Sequence, residues 1–438
     1  MTMLTETQRR YRIRGFHKET QFQETSIGKI PKSWRIVKLQ EVAQKIKAGG
    51  TPRVSQKEYW DGDIPFVKIE DMTSRKYIYS TKTFITELGL KNSNAWIIPE
   101  NSLLIAIYGS IGEVAINRIR VATNQAILGV IPKPNVVDVE YLYYWFLKFK
   151  PKWQMYVKRS TQPNLTAEIV KNVFIPLPPL EEQRGIAEVL SSIDNAIEAV
   201  ERLIEKLEKI KQGLMQVLLT KGIGHKEFQE TSIGKIPKEW DIVMLKKVAN
   251  INDMPKKVKI IEGLVARIPM ELIPTNGIYA KYELVSDNDV KSYVIAKAGD
   301  ILLAKITPSF ENGKQGIVPE NVPNGVVYAT TEVYAITPRQ IDRLFLFYLL
   351  KWKKYRKLLE YKMTGTTGRK RVPRDALENL QVPYPPLEEQ RWIASILKSI
   401  DDWIEKEERR KEVLERLKLG LMDLLLTGRV RVEVIPVD

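Results

Sequence analysis

The sequence predicts an α+β protein: two globular domains in tandem repeat, separated and joined by two long helices that form an antiparallel coiled coil. Three observations carry that expectation. A chain of 438 residues exceeds one ordinary core and calls for two or three domains. Segments recur 206 or 207 residues apart. FQETSIGKIPKSW (residues 22–34) returns as FQETSIGKIPKEW (228–240), and IPLPPLEEQRGIAEVLSSIDNAIE (175–198) returns as VPYPPLEEQRWIASILKSIDDWIE (382–405). Each of the latter blocks then continues with apolar residues alternately four and three apart, the heptad spacing of a coiled coil.

Taken in order, residues 1–16 read as a basic tail and 17–178 as the first globular domain. Its β-rich run SLLIAIYGSIGEVAI (102–116) precedes a helical pattern, VEYLYYWFLKFK (139–150). The first spacer helix is expected over 179–222. Pro178 and Pro179 stop the preceding strand, Glu181 and Glu182 suit the first turn, and Gly222 and Gly224 end it. Its seam reads Ile186, Leu190, Ile193, Ile197, Val200, Ile204, Leu207, Lys211, Leu214 and Leu218, with one polar slot. About 40 helical residues span roughly 60 Å and cannot bury a seam alone.

The second globular domain, 223–385, carries GDILLAKI (299–306) and the helical IDRLFLFYLLKWKKYRKLLE (341–360). The second helix, 386–428, keeps the seam at Ile393, Leu397, Ile400 and Ile404 and then meets the charged run EKEERRKE. It is expected to resume at Leu414, Leu417, Leu421 and Leu424 in a shifted register, before a tail over 429–438. Each helix is the natural partner of the other, the alternative being two helices packed on separate domains. Between the repeated frames the match fades. VATNQAILGVIP (121–132) is loosely echoed by YATTEVYAITP (328–338), and STQPNLT (160–166) sits where GRKRVPR (368–374) sits.

The net charge of +16 is unevenly placed. Residues 180–221 and 387–429, which span the two helices, come to −2 and −1, so the rest of the chain, the globular blocks and flanks, holds +19. Two basic heads on a near-neutral scaffold suit a polyanion. The absence of cysteine excludes disulfides, thiol nucleophiles and Cys-based metal sites. His17 and His225 are the two histidines, both in expected surface loops. No phosphate-binding loop, GxGxxG, HExxH or GxSxG pattern occurs. Acidic clusters in WDGDIP and VKIED read as caps rather than as a metal-dependent nuclease site. No apolar run reaches the length of a membrane span and the start lacks a signal-peptide core, so a cytoplasmic protein is expected.

With PPLEEQR and its heptads occurring twice around two unlike basic domains, the sequence resembles the DNA-specificity (S) subunit of Type I restriction–modification enzymes. GGTPRVSQKEYWDGDIPFVKIEDM (49–72) and ATNQA (122–126) are similar to the target-recognition motifs of that family. The resemblance implies a non-catalytic subunit binding double-stranded DNA, each recognition domain reading one half of an interrupted asymmetric site and the helices setting the spacer. It implies two methyltransferase (modification) subunits and restriction subunits as partners. No metal or cofactor is expected on this chain, with S-adenosylmethionine, ATP and magnesium only on the partners.

Side chains that discriminate bases are those with donors and acceptors able to reach base edges, chiefly Arg, Lys, Asn and Gln. Candidates in the first domain are Arg53, Lys68, Tyr108, Ser110, Asn124, Gln125, Gln162 and Asn164. The second offers Lys305, Asn312, Lys314, Arg369, Lys370 and Arg371, the last three in a run expected to be a mobile cationic loop. Two alternatives stay open: a coiled-coil nucleic-acid-binding adaptor outside restriction–modification, and a nuclease with an unrecognised site.

Overall fold

A computed structural model describes residues 11–156, 165–253, 263–286, 289–290, 293–366 and 368–436. The chain divides into two compact units, Met1–Ala199 with Glu412–Asp438, and Val200–Lys411. Both boundaries fall inside the long helices, Leu180–Lys221 and Leu387–Leu426.

In the first unit, Ala43–Ala48, Ile127–Pro132, Ser102–Ala106, Val114–Asn117 and Tyr77–Ile78 lie side by side in that order as a five-stranded sheet. Its neighbours are antiparallel except for the last pair. Strand Ser102–Ala106 is buried on both faces. Leu103 and Ile105 meet the helix Val139–Phe149 in the main core, and Leu104 and Ala106 face a second cluster with Val67 and Ile98. That is why LLIA, residues 103–106, is continuously apolar instead of alternating. A three-stranded sheet, Ala122–Thr123, Trp60–Val67 and Thr83–Ile85, lies alongside.

The second unit repeats the plan with two four-stranded sheets. Ile301 and Leu303 face the core that holds Phe345 and Tyr348, while Leu302 faces the other way into a smaller cluster.

The two nearly identical sequence blocks turn out to be halves of one contact. In the first unit Trp34 Nε1 donates to Glu182 Oε2 (3.1 Å), and in the second Trp240 Nε1 donates to Glu389 Oε2 (2.9 Å). The adjacent glutamine ties the same helix start to the domain. Gln183 Oε1 accepts from the Asp138 amide (2.9 Å), as Gln390 Oε1 does from that of Asp342 (2.8 Å). Their amide nitrogens donate to the Pro178 and Pro385 carbonyls. The segments KS/EW and PPLEEQR therefore recur together.

The long helices pack together. In the second unit Lys211 pairs with Asp401 and Lys411 with Glu201 (2.6 Å). Ten residues forward on one helix match ten backward on the other, so the pair is antiparallel. In the first unit Lys418 pairs with Asp194 (2.6 Å), and Ile186 and Leu190 share a core with Met422, Leu425 and Leu426. Of the expected seam, Ile186, Leu190, Val200, Leu207, Leu218, Ile393, Leu397 and Ile404 are buried. Ile193, Ile197, Ile204, Ile400, Leu414 and Leu421 are half-buried.

The shifted register in the second helix is not observed. Leu417 and Leu424 are 49% and 37% exposed, whereas Glu407 is only 7% exposed. The seam runs unbroken from Ile404 through Glu407, Lys411, Leu414, Lys418 and Leu421 to Leu425, so charged residues occupy its inner positions. The expected terminal tails are also corrected: Tyr11–Lys18 pairs antiparallel with Val430–Pro436, joining the two chain ends.

A Tyr–Asp–Lys group is built twice. Tyr144 Oη donates to Asp194 Oδ2 (2.6 Å), whose other oxygen holds Lys418. In the second unit Tyr348 Oη donates to Asp401 Oδ2 (2.7 Å), whose other oxygen holds Lys211. Each group ties a globular core to both long helices with a buried or nearly buried carboxylate, and burial and the aspartate push both phenols far above their usual range.

Candidate nucleic-acid interface

Beyond strand Ser102–Ala106 the chain enters Ile107, where three stretches meet. The Ile107 amide donates to the Ala126 carbonyl (2.8 Å), and its own carbonyl accepts from the Leu165 amide (3.1 Å). Tyr108 and Ser110 follow, both exposed. In the neighbouring sheet Thr123 pairs with Val67, so Lys68 and Asn124 are the next residues on the two strands. Asn124 turns its Oδ1 back onto the Ala126 amide (3.1 Å), while exposed Gln125 accepts from Thr51 Oγ1.

Glycine is required at position 49, because a Cβ there would stand 2.1 Å from the Thr123 carbonyl oxygen. The Gly50 amide donates to that same oxygen (2.9 Å). This close approach carries Thr51 and exposed Arg53 to the ATNQA loop. The Tyr108–Ser110 turn in its own way adjoins Lys68, since a Cβ on Gly109 would touch Ile69 at 3.4 Å. Arg53, Lys68, Tyr108, Ser110, Asn124 and Gln125 thus come from four separate stretches to one rim of the first unit. Gln162 and Asn164 lie outside the described residues. In VKIED, Asp71 acts as a cap, its Oδ2 accepting from the Lys68 amide (2.9 Å).

The second unit makes the same backbone bonds with unlike side chains. The Lys305 amide donates to the Glu332 carbonyl (3.0 Å), and its carbonyl accepts from Val372 (2.8 Å). Lys305 therefore stands where Ile107 does, Glu332 where Ala126 does and Val372 where Leu165 does. Burial pushes the Lys305 ammonium down, opposed by the nearby Glu332 carboxylate, and its Nζ lies 5.1 Å over the Tyr334 ring.

The run Gly368, Arg369, Lys370, Arg371 is not a free loop. Arg371 exchanges backbone bonds with Thr364 (2.8 and 3.0 Å), and the Thr307 amide donates to the Lys370 carbonyl (3.0 Å). Arg371 is held side-on by Glu332, Nε to Oε2 at 2.9 Å and Nη2 to Oε1 at 2.7 Å. Arg369, Lys370 and Asn312 are exposed. Lys314 points elsewhere: its ammonium donates to the Met270 (2.7 Å) and Ile273 (3.2 Å) carbonyls and so fastens the sheet.

Neither histidine is a freely solvated loop residue. His225 lies between Glu389 (2.8 Å) and Glu239 (3.4 Å), and His17 sits in a strand 2.9 Å from Glu433. Among the described residues no group of three His, Asp or Glu is placed to hold a metal ion, and no helix is long and apolar enough to cross a membrane.

Residues 31–209 and 237–416 each match the model of the Type I restriction modification DNA specificity domain. The chain belongs to this family. It is 32% identical to the Type I restriction enzyme MjaVIII specificity subunit of Methanocaldococcus jannaschii, over 96% of this chain and 98% of that one. A second relative from that organism, the putative MjaX specificity subunit, is 30% identical over 95% and 98%.

The fold is shared with solved structures. One, from work on complex assembly and conformational transition of the type I R-M system, aligns with a TM-score of 0.55 at 19% identity, covering 91% of this chain and 99% of that one. The S subunit from M. genitalium aligns at 0.54 and 14% identity, covering 90% and 96%. As a specificity-subunit chain, this one belongs to a family that is DNA-directed and without catalytic activity of its own. Two rim residues escaped the reading of the sequence, Thr51 and Glu332. The echo of VATNQA in YATTEV sets Glu332 opposite the candidate Gln125 and could have pointed to it, although the backbone bonds match it with Ala126.

Proposed function

We propose that this specificity subunit binds double-stranded DNA at an interrupted, asymmetric site, one rim to each half-site, with the paired helices setting the spacer. The observation that carries the reading is one rim built twice: Ile107, Ala126 and Leu165 in one unit are matched by Lys305, Glu332 and Val372 in the other, bond for bond. A constant frame with unlike contents is what reading two different base sequences requires. The basic excess outside the helices supplies phosphate affinity. In the cytoplasm the chain would dock two methyltransferase subunits carrying S-adenosylmethionine, and restriction subunits carrying ATP and magnesium, and would itself perform no chemistry.

The test is to mix the chain with methyltransferase subunits and map methylation on randomised duplexes. The complex should mark one bipartite sequence, and the rigorously purified chain alone should methylate nothing. Exchanging residues 226–380 for the matching block of another specificity subunit should alter one half-site and spare the other. Simultaneous change of both half-sites would refute the assignment of one unit to each.

A further inference from the structure

We propose that the half-site met by the second unit contains a guanine read by Arg371, with Glu332 as the positioning residue that aims it. This rests on the reading that the rim of that unit meets DNA. A guanidinium has two usable edges. Its side-on edge offers Nε–H and one Nη2–H; its end-on edge offers the other Nη2–H and an Nη1–H, two parallel donors spaced to match guanine O6 and N7. Glu332 takes the side-on edge completely, with both carboxylate oxygens at hydrogen-bonding distance. Among the described residues the end-on edge is left with its donors unspent, and the clamp sets its direction.

The surroundings make the fork rigid and keep the carboxylate in place. Arg371 is pinned by its backbone bonds to Thr364, yet its side chain is 46% exposed. Glu332 continues from the Thr330 turn, whose hydroxyl accepts from the Glu332 amide (3.4 Å). Arg371 and, more weakly, Lys305 hold the Glu332 carboxyl below its usual range, so it stays ionised as the clamp requires. An arginine already locked at Nε and Nη2 loses little conformational freedom on contact, which sharpens discrimination. In the first unit Ala126 stands at the Glu332 position, so the device belongs to the second unit alone.

The experiment is selection from randomised duplexes with the complete methyltransferase complex. Wild type should select a bipartite sequence with a guanine in the half-site of the second unit. Arg371→Ala should reduce the preference at that position roughly 5- to 150-fold while the other half-site is unchanged. Arg371→Lys keeps the charge and the backbone pairing but lacks the fork, and should lose the guanine as well. Glu332→Ala should relax the same position, and Glu332→Ala combined with Arg371→Ala should be no worse there than Arg371→Ala alone.

A half-site without guanine would overturn the proposal. So would a uniform loss over all sequences, which marks a phosphate contact, or additive losses in the double variant, which mark independent roles. If wild type selects no bipartite sequence at all, the assignment of function falls first.

Discussion

A carboxylate at position 407 lies in the apolar seam of the second helix, 7% exposed, with Oε2 lacking a hydrogen-bond partner among the described residues and the Arg410 guanidinium 3.5 Å away. A buried acceptor left unsatisfied costs about 1–3 kcal/mol. Glu407→Leu should therefore stabilise the chain by about that amount, read as a higher urea midpoint with unchanged far-UV circular dichroism; a lower midpoint would show that the charge is needed there. Lys351 makes a different prediction. Burial, together with the Arg356 and Lys211 charges, pushes its ammonium down from 10.5 to about 7. Between those values the unfolded chain binds a proton that the folded chain has released, so stability rises as pH climbs from 7 towards 10 and the penalty is fully present below 7. Lys351→Met should flatten that rise in a series of unfolding curves from pH 6 to 10.

The elements that matter most are the two long helices, and their pairing constrains how they can be lengthened. Four residues inserted at Lys211 alone would break its pair with Asp401 and throw one seam out of step with the other. Seven residues added both between Ile204 and Glu205 and between Lys406 and Glu407 preserve both heptads. They lengthen the shaft by roughly 10 Å, the rise of about three base pairs, while the extra DNA turns the far half-site by about 100°. The expected outcome is a spacer about three base pairs longer at reduced affinity, or loss of binding, with both half-sites unaltered. Selection of the original spacer at full affinity would mean that the helices are not the ruler. The heptad of the first helix was legible because its single polar slot, Lys211, interrupts a run of Ile and Leu. In the second helix Glu407, Lys411 and Lys418 hold inner positions, and hydrophobicity alone directs attention to Leu417 and Leu424, which face out. A seam satisfied by ion pairs is visible only once the partner helix is in place. The rim was legible residue by residue but not as a surface. Nothing local joins Gly49 to Thr123 or Glu332 to Arg371, and Lys314 could not be told from a ligand-facing lysine until the Met270 and Ile273 carbonyls were seen around it.

At the scale of the whole molecule, the repeat was plain from sequence, whereas the joining of the chain ends was not. Tyr11–Lys18 and Val430–Pro436 are short charged strands whose partners lie at opposite ends of the chain, so neither carries a nearby turn to announce the pairing. That pairing makes the first unit discontinuous, needing residues 1–199 and the final segment from 412, while the second unit is one unbroken stretch. A chain truncated after Lys411 should keep the protease resistance of the second unit and lose that of the first, because Met422, Leu425, Leu426 and Val432 would be missing from its core; equal resistance of both in limited trypsinolysis would contradict this. On the ribosome, the order of completion then inverts the order of synthesis. The half that begins to emerge first is the last to close, because its core waits for Met422, Leu425, Leu426 and Val432. A nascent chain therefore passes through a stage with one head complete and the other still open along the face that Met422, Leu425 and Leu426 will cover.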